Sequence, residues 1–216
     1  VRRRVETLAR YPNQVLVLKG TAAVCGLRGR LAGLARRLVD ANQTREFQNF
    51  CVAMSKFADG DNRYLEDIRR KQRLARDHLS TVAGKMSGMA SHYGKFESWF
   101  TNSEIRKIRT DEPIDLSAWE KFFGLITELA GQLHNEHPNT KGWPSREEWP
   151  NTFLYRSPLL QGLHFLRWMR SGSPSRLSPD TILNDMVDIN FAAYATYFDG
   201  FLTNDRKSRE LYSEGR

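Results

Sequence analysis

The sequence predicts a predominantly helical α/β domain, and three observations carry that expectation. Most segments repeat their apolar residues at helical spacing, and two short β-rich runs, QVLVLK at 14–19 and the stretch 201–203, lie near the two ends. The length, 216 residues, suits one domain spanning 1–216 that carries a helical insertion at about 64–170. The acidic residues near the C-terminus fall between a helix and a strand candidate, and open α/β folds bind their ligands at the carboxyl edge of the sheet. Hydrophobic residues make up 40% of the chain, which excludes a disordered or fibrous protein.

Taken in order, residues 1–10 read as a short basic helix and 15–18 as a strand closed by Gly20. From 22 to 39, Val24, Leu27, Leu31, Leu34 and Leu38 have helical spacing, and Gly26, Gly29 and Gly33 leave room for a close backbone approach. The next helix, 44–58, carries Phe47, Phe50, Cys51, Met54 and Phe57 after Thr44 as N-cap. Asp59 to Asn62 (DGDN) breaks the chain, and 64–109 reads as one or two helices laced with charge pairs such as Glu66 and Arg70. A further amphipathic helix covers 116–133. Two Pro-, Gly- and Ser-rich loops, 137–150 and 171–179, enclose another helix. Ser178-Pro179 then starts a helix to about Phe198, and Asn204-Asp205 opens the last one after the strand 201–203.

Charge is unevenly placed. Residues 1–40 hold nine basic side chains (Arg2, Arg3, Arg4, Arg10, Lys19, Arg28, Arg30, Arg36, Arg37) against Glu6 and Asp40, so this segment carries +7 of the net +8. Such a block reads either as a polyanion-binding surface, with Arg28, Arg30, Arg36 and Arg37 as nucleic-acid contacts, or as a solvated face. No apolar run is long enough to span a bilayer, and the start of the chain has no secretory core, which points to a soluble cytoplasmic protein with no membrane partner. Cys25 and Cys51 lie in no metal or redox pattern and read as buried thiols.

Several familiar patterns fail on spacing. The Asp59-Gly60-Asp61 start of a calcium loop lacks the sixth-position Gly and twelfth-position Glu. His134 and His137 have no third ligand at a recognisable spacing, and Lys19-Gly20-Thr21 lacks the rest of a phosphate loop.

The acidic segment is more informative. Residues 177–205 contain no Lys, Arg or His and five aspartates: 180, 185, 188, 199 and 205. On a helical wheel Asp185, Asp188 and Asp199 share an arc with Ala192 and Ala195, opposite the large apolar residues. If a strand 200–205 returns along that helix, Asp188 and Asp205 stand level. Converging carboxylates without His or Cys suit Mg²⁺ or Mn²⁺. The alternatives are a solvated face, internal ion pairs with arginines, and, for Asp205, the N-cap of the last helix.

The run from Asp188 to Asp205 (DINFAAYATYFDGFLTND), with Asn184-Asp185 before it, resembles the C-terminal part of PIN-like nuclease domains, over roughly the last 35 residues. There an aspartate opens an alanine-rich helical stretch, and a strand ends in T-x-D. The resemblance implies a small parallel sheet flanked by helices, a carboxylate cluster holding Mg²⁺ or Mn²⁺, and hydrolysis of RNA phosphodiesters, in toxins or RNA processing. Asp188 and Asp205 would be metal ligands, Asp185 an accessory catalytic acid, and Thr203 with Asn204 supporting residues. The family's first strand ends in an aspartate, whereas Lys19 follows the run 15–18, and only Asp40 or Glu46 stands near the place of the second acid. The expected first strand therefore lies upstream of Val1, or the site is degraded. Three functions compete: a metal-dependent endoribonuclease, a noncatalytic nucleic-acid-binding module using the basic N-terminal segment, and a helical interaction protein whose aspartates pair internally.

Overall fold

A computed structural model of the chain describes residues 11, 14–58, 66, 69–70, 72–74, 76–77, 80, 89–172 and 178–216. The expected basic helix at 1–10 and the break at 59–62 lie outside the described residues. The elements are helices α1 (Thr21–Val24), α2 (Leu31–Leu38), α3 (Ala41–Ala58), α4 (Met89–Glu97), α5 (Asn102–Thr110), α6 (Leu116–Glu136), a 3₁₀ turn (Trp149–Asn151), α7 (Phe153–Ser171), α8 (Pro179–Ala195) and α9 (Arg206–Glu214). None of the described helices is long and apolar enough to cross a membrane.

The small parallel sheet expected from the sequence is absent among the described residues, so the α/β class gives way to an all-helical one. Leu18 makes only an isolated antiparallel bridge to Val39. Residues 201–203 form no strand, and Leu202 is fully exposed. A β-rich run becomes a strand only when a neighbour takes up its backbone N–H and C=O groups. The run at 15–18 meets 38–40 over only two backbone hydrogen bonds, too few for a ladder, and 201–203 lies in the short connection between two helices.

The chain forms two compact units, residues 1–21 with 36–82 and residues 22–35 with 83–216. In the first, the backbone of 17–19 is tied to 38–40: Lys19 N donates to Leu38 O at 2.8 Å and Asp40 N to Val17 O at 2.7 Å. Asp40, rather than Thr44, caps α3, its Oδ1 accepting from the N–H groups of Asn42 and Gln43. Thr44 Oγ1 instead accepts from Val17 N.

The second unit is organised around α7. Its buried residues, among them Leu154, Arg156, Pro158, Leu160, Gly162, His164, Phe165, Trp168 and Met169, lie on every side of the helix, the mark of an interior element. Helices α4, α5, α6, α8 and α9 all pack on it. Helix α6 approaches closely, since a Cβ added at Gly162 would stand 2.6 Å from Ile126 Cδ1 and 2.9 Å from Phe122 Cε2. Both of those residues are fully buried. Alanine at this position gains about 1 kcal/mol of helix propensity, but overpacking a filled core costs about 1–3 kcal/mol. Gly162→Ala is therefore expected to lower stability by about 1 kcal/mol in a urea melt, and an unchanged midpoint would contradict this packing.

The loop at 137–150 is anchored rather than free. Asn139 Nδ2 donates to Ala22 O at 2.7 Å, and Arg28 Nη1 reaches the carbonyls of Gly142 and Trp143. Gly26 is the glycine that the approach requires, since a Cβ there would lie 2.5 Å from Asn139 O. His134 is buried, its Nε2 3.0 Å from Gly142 O and its ring packed on Trp143, which gives it a loop-holding role.

Candidate functional site: a buried carboxylate and its neighbours

Helix α8 begins as its sequence dictates, with Ser178 accepting from Thr181 N as N-cap and Pro179 in the first turn. Its orientation departs from the simple wheel. Ile182, Asp185, Met186, Ile189, Ala192 and Ala193 are buried, whereas Phe191 is 60% exposed. The buried face is turned by roughly 100° from the arc of large apolar side chains. The small Ala192 and Ala193, both fully buried, leave room for a close neighbour, and Asp185 finds its hydrogen-bond donors on α7.

Asp185 is the centre of the arrangement. Only 6% of its side chain is exposed. Its Oδ2 faces His164 Nε2 at 3.1 Å and accepts from Trp168 Nε1 at 3.3 Å, while Oδ1 accepts from Lys207 Nζ at 3.1 Å. The acceptor that His164 Nε2 faces assigns it the hydrogen. The other ring nitrogen, Nδ1, is buried with no partner. His164 and Trp168 sit four residues apart on α7, so one helix face presents both donors, and their rings meet edge-on at 4.6 Å. Burial by itself pushes the Asp185 carboxyl up, but the hydrogen bonds from His164 and Lys207 outweigh it and hold the pKa below the ordinary value.

Asp188 and Asp205 flank this centre. Asp188 is half-buried and has no hydrogen-bond or ion-pair partner among the described residues. Burial, with the charges of Asp205 and Asp185, raises its pKa, and Lys207 pulls the other way. Asp205 is exposed and caps α9, Oδ1 accepting from Ser208 N at 2.6 Å; that backbone bond is the main cause of its lowered pKa. Thr203 Oγ1 accepts from Asp205 N at 3.1 Å and so orders the turn that presents the carboxylate, while Asn204 is exposed. The three aspartates thus share one electrostatic neighbourhood, reached through the first turn of α9. Compared with family models, with characterised proteins and with solved structures, the chain matches none.

Other expected residues fall elsewhere. Asp199 lies beyond the end of α8, exposed and 3.8 Å from Arg216. Arg28 and Arg30 belong to one unit, Arg36 and Arg37 to the other. Arg30, Arg36 and Arg37 are exposed, and Arg28 is spent on the loop carbonyls. Cys25 is buried and its thiol is pushed up to about 11, the mark of an unreactive core cysteine. The residues that sequence reasoning misses are His164, Trp168 and Lys207. The i, i+4 spacing of the two rings and the lysine two residues after Asp205 are the signals that mark them.

No three His, Cys, Asp or Glu side chains among the described residues are gathered tightly enough to hold a metal by themselves. The chemistry of the donors still fits a hard divalent cation of the kind bound through one or two carboxylates, waters and a substrate phosphate. Asp188, unpartnered and repelled by two other carboxylates, is the side chain that such a cation would relieve, and Asp205 is the second.

Proposed function

We propose that the chain is a divalent-metal-dependent endoribonuclease whose carboxylates are Asp188 and Asp205. The observation that carries this reading is Asp188: a half-buried carboxyl with no hydrogen-bond or ion-pair partner among the described residues, its pKa raised by burial and by the charges of Asp205 and Asp185. The resemblance of residues 188–205 to PIN-like nucleases supports the reaction class without the sheet. Bound Mg²⁺ or Mn²⁺ would supply an activated water and charge stabilisation for in-line displacement at phosphorus. Asp188 and Asp205 would hold that ion. Asp185, committed to His164 and Trp168, would position α8 and not touch substrate. Exposed Arg30, Arg36 and Arg37 support RNA as the partner through their charge.

The test compares wild type, Asp188→Asn and Asp205→Asn on single-stranded RNA with Mn²⁺, with and without EDTA. Cleavage is expected in wild type, abolished by EDTA and reduced at least ~100-fold by either substitution. Equal cleavage by all three proteins would remove both roles. Asp188→Asn should remain folded. A carboxyl whose pKa is raised on folding destabilises above its unfolded value of about 3.9 and loses that effect as the pH falls below it. The asparagine variant should accordingly melt roughly 1 °C higher at neutral pH and no higher at pH 3. A lower melting temperature at neutral pH would mean that Asp188 has a structural partner.

A further inference from the structure

Helices α4, α6 and α7 enclose a cavity of about 400 Å³, and no residue of α8 or α9 lines it. Along α6, Leu125, Leu129 and Leu133 recur every four residues and so stand in a row on one side of the helix, about 12 Å long at 1.5 Å per residue. Helix α7 supplies the facing row with Pro158, Gly162 and Phe165, and Gly162, without a side chain, keeps the middle of that row low. Trp99, in the turn after α4, completes the wall together with Phe96, whose ring centre is 5.3 Å from that of Phe165. Trp99 is 44% exposed, and Leu129 and Leu133 are 36% exposed, so the opening holds large apolar side chains against solvent. Apolar surface gathered in a cavity of this size between helices is the usual form of a small-ligand site. Polarity is confined to the rim, where Lys95, Glu128 and Gln132 are exposed. Lys95 precedes Phe96 and therefore stands at the Phe165 end, its ammonium without a hydrogen-bond or ion-pair partner among the described residues. Glu128 already accepts from Gln132 Nε2 at 3.4 Å.

We propose that this cavity binds a free medium-chain fatty acid, its alkyl chain along the leucine row of α6 and its carboxylate on the Lys95 ammonium. The dimensions agree: a zigzag alkyl chain gains about 1.3 Å per carbon–carbon bond, so the row matches about ten carbons. The chemistry agrees as well. Aliphatic and aromatic walls without a charge between them suit a flexible hydrocarbon, and the unpartnered charge at the rim is positive, which favours an acid over an amine of the same length. Affinity comes from the chain, at about fourfold per buried methylene. The exposed ion pair adds little and sets the orientation. The cavity shares no residue with the neighbourhood of Asp185, Asp188 and Asp205, so the inference stands apart from RNA cleavage.

The experiment titrates octanoate, decanoate and decylamine, each below its micelle concentration, into the wild-type protein by calorimetry. Decanoate is expected to bind one-to-one, about fifteenfold more tightly than octanoate and about fivefold more tightly than decylamine. Lys95→Glu should reverse the preference between acid and amine. Leu129→Gln, at the solvent edge of the row, should weaken decanoate at least ~tenfold while melting within about 2 °C of wild type without ligand. Absence of decanoate binding by wild type at millimolar ligand, equal binding of decanoate and decylamine, or binding unchanged in Leu129→Gln would each overturn the proposal. So would a wild-type dimer in sedimentation that Leu129→Gln returns to monomer, since the groove would then belong to a second copy of the chain.

Discussion

Asp185→Ala is expected to destabilise the protein by about 3–5 kcal/mol, the usual cost of removing one partner from a buried charged network. The side chain is 6% exposed and accepts from three donors on two other helices. Without it, His164 Nε2 and Trp168 Nε1 keep their hydrogens inside the core with no acceptor, and each such orphan costs about 1–3 kcal/mol. Lys207, half exposed, regains water and adds little. At about 2–4 °C per kcal/mol for a chain of this size, the melting temperature should fall by roughly 6–20 °C. Trp168 stands beside the site, so its fluorescence reports the transition directly. Because the Asp185 pKa is lowered on folding, its contribution is complete above the unfolded value of about 3.9 and is lost as the pH falls through the folded one. The stability gap between wild type and Asp185→Ala should therefore narrow in acid. A loss under 1 kcal/mol at neutral pH, or a difference that persists unchanged at pH 2, would contradict this account.

Arg156→Ala should cost about 3 kcal/mol, and Arg156→Lys should not rescue it. Arg156 is 6% exposed and has no carboxylate partner among the described residues. Its charge is met by a helix end instead. Nη1 donates to Thr196 O at 2.9 Å, at the C-cap of α8, and Nε to Pro150 O at 3.3 Å. The guanidinium also lies over the Tyr197 ring, 4.8 Å from its centre. The last carbonyls of a helix lack internal partners and carry the negative end of its dipole, so a planar cation there satisfies both needs. Burial is the main influence on this guanidinium and works against its charge. The alanine variant would leave two carbonyls bare and lose the contact with the ring. Lysine offers a single point charge that cannot bridge both carbonyls and stack on the tyrosine. Denaturant melts of the three proteins decide the matter, and a lysine variant as stable as wild type would show that charge alone suffices.

These two residues show where reading the sequence stops. Helix α8 starts at Ser178-Pro179 as its capping residues require, and α6 occupies the segment its apolar period marks out, because both signals are local. The concentration of five aspartates in 29 residues is likewise plain from the chain. The rotation of α8 is not, since the wheel weighs side-chain size alone. The face that packs is the one where Ala192 and Ala193 permit approach and Asp185 meets donors, although this leaves Phe191 outside. Asp185 accordingly looked like a ligand-facing acid and is a core anchor. The strand expectations failed for a related reason: β-rich composition at 15–18 and 201–203 is a local property, but pairing is not.

The sequence by itself determined the segment of α6, the starts of α8 and α9, the basic front and the acidic back, because propensity, capping and charge act within a few residues. Only the tertiary structure decided that the described residues form no sheet, that α7 runs through the interior, and that His164, Trp168 and Lys207 converge on Asp185 while Asp188 stays unpartnered. Those outcomes depend on which distant donors and apolar faces meet. Burial makes such meetings compulsory, since a buried carboxylate or backbone group must find its partner wherever in the chain that partner lies.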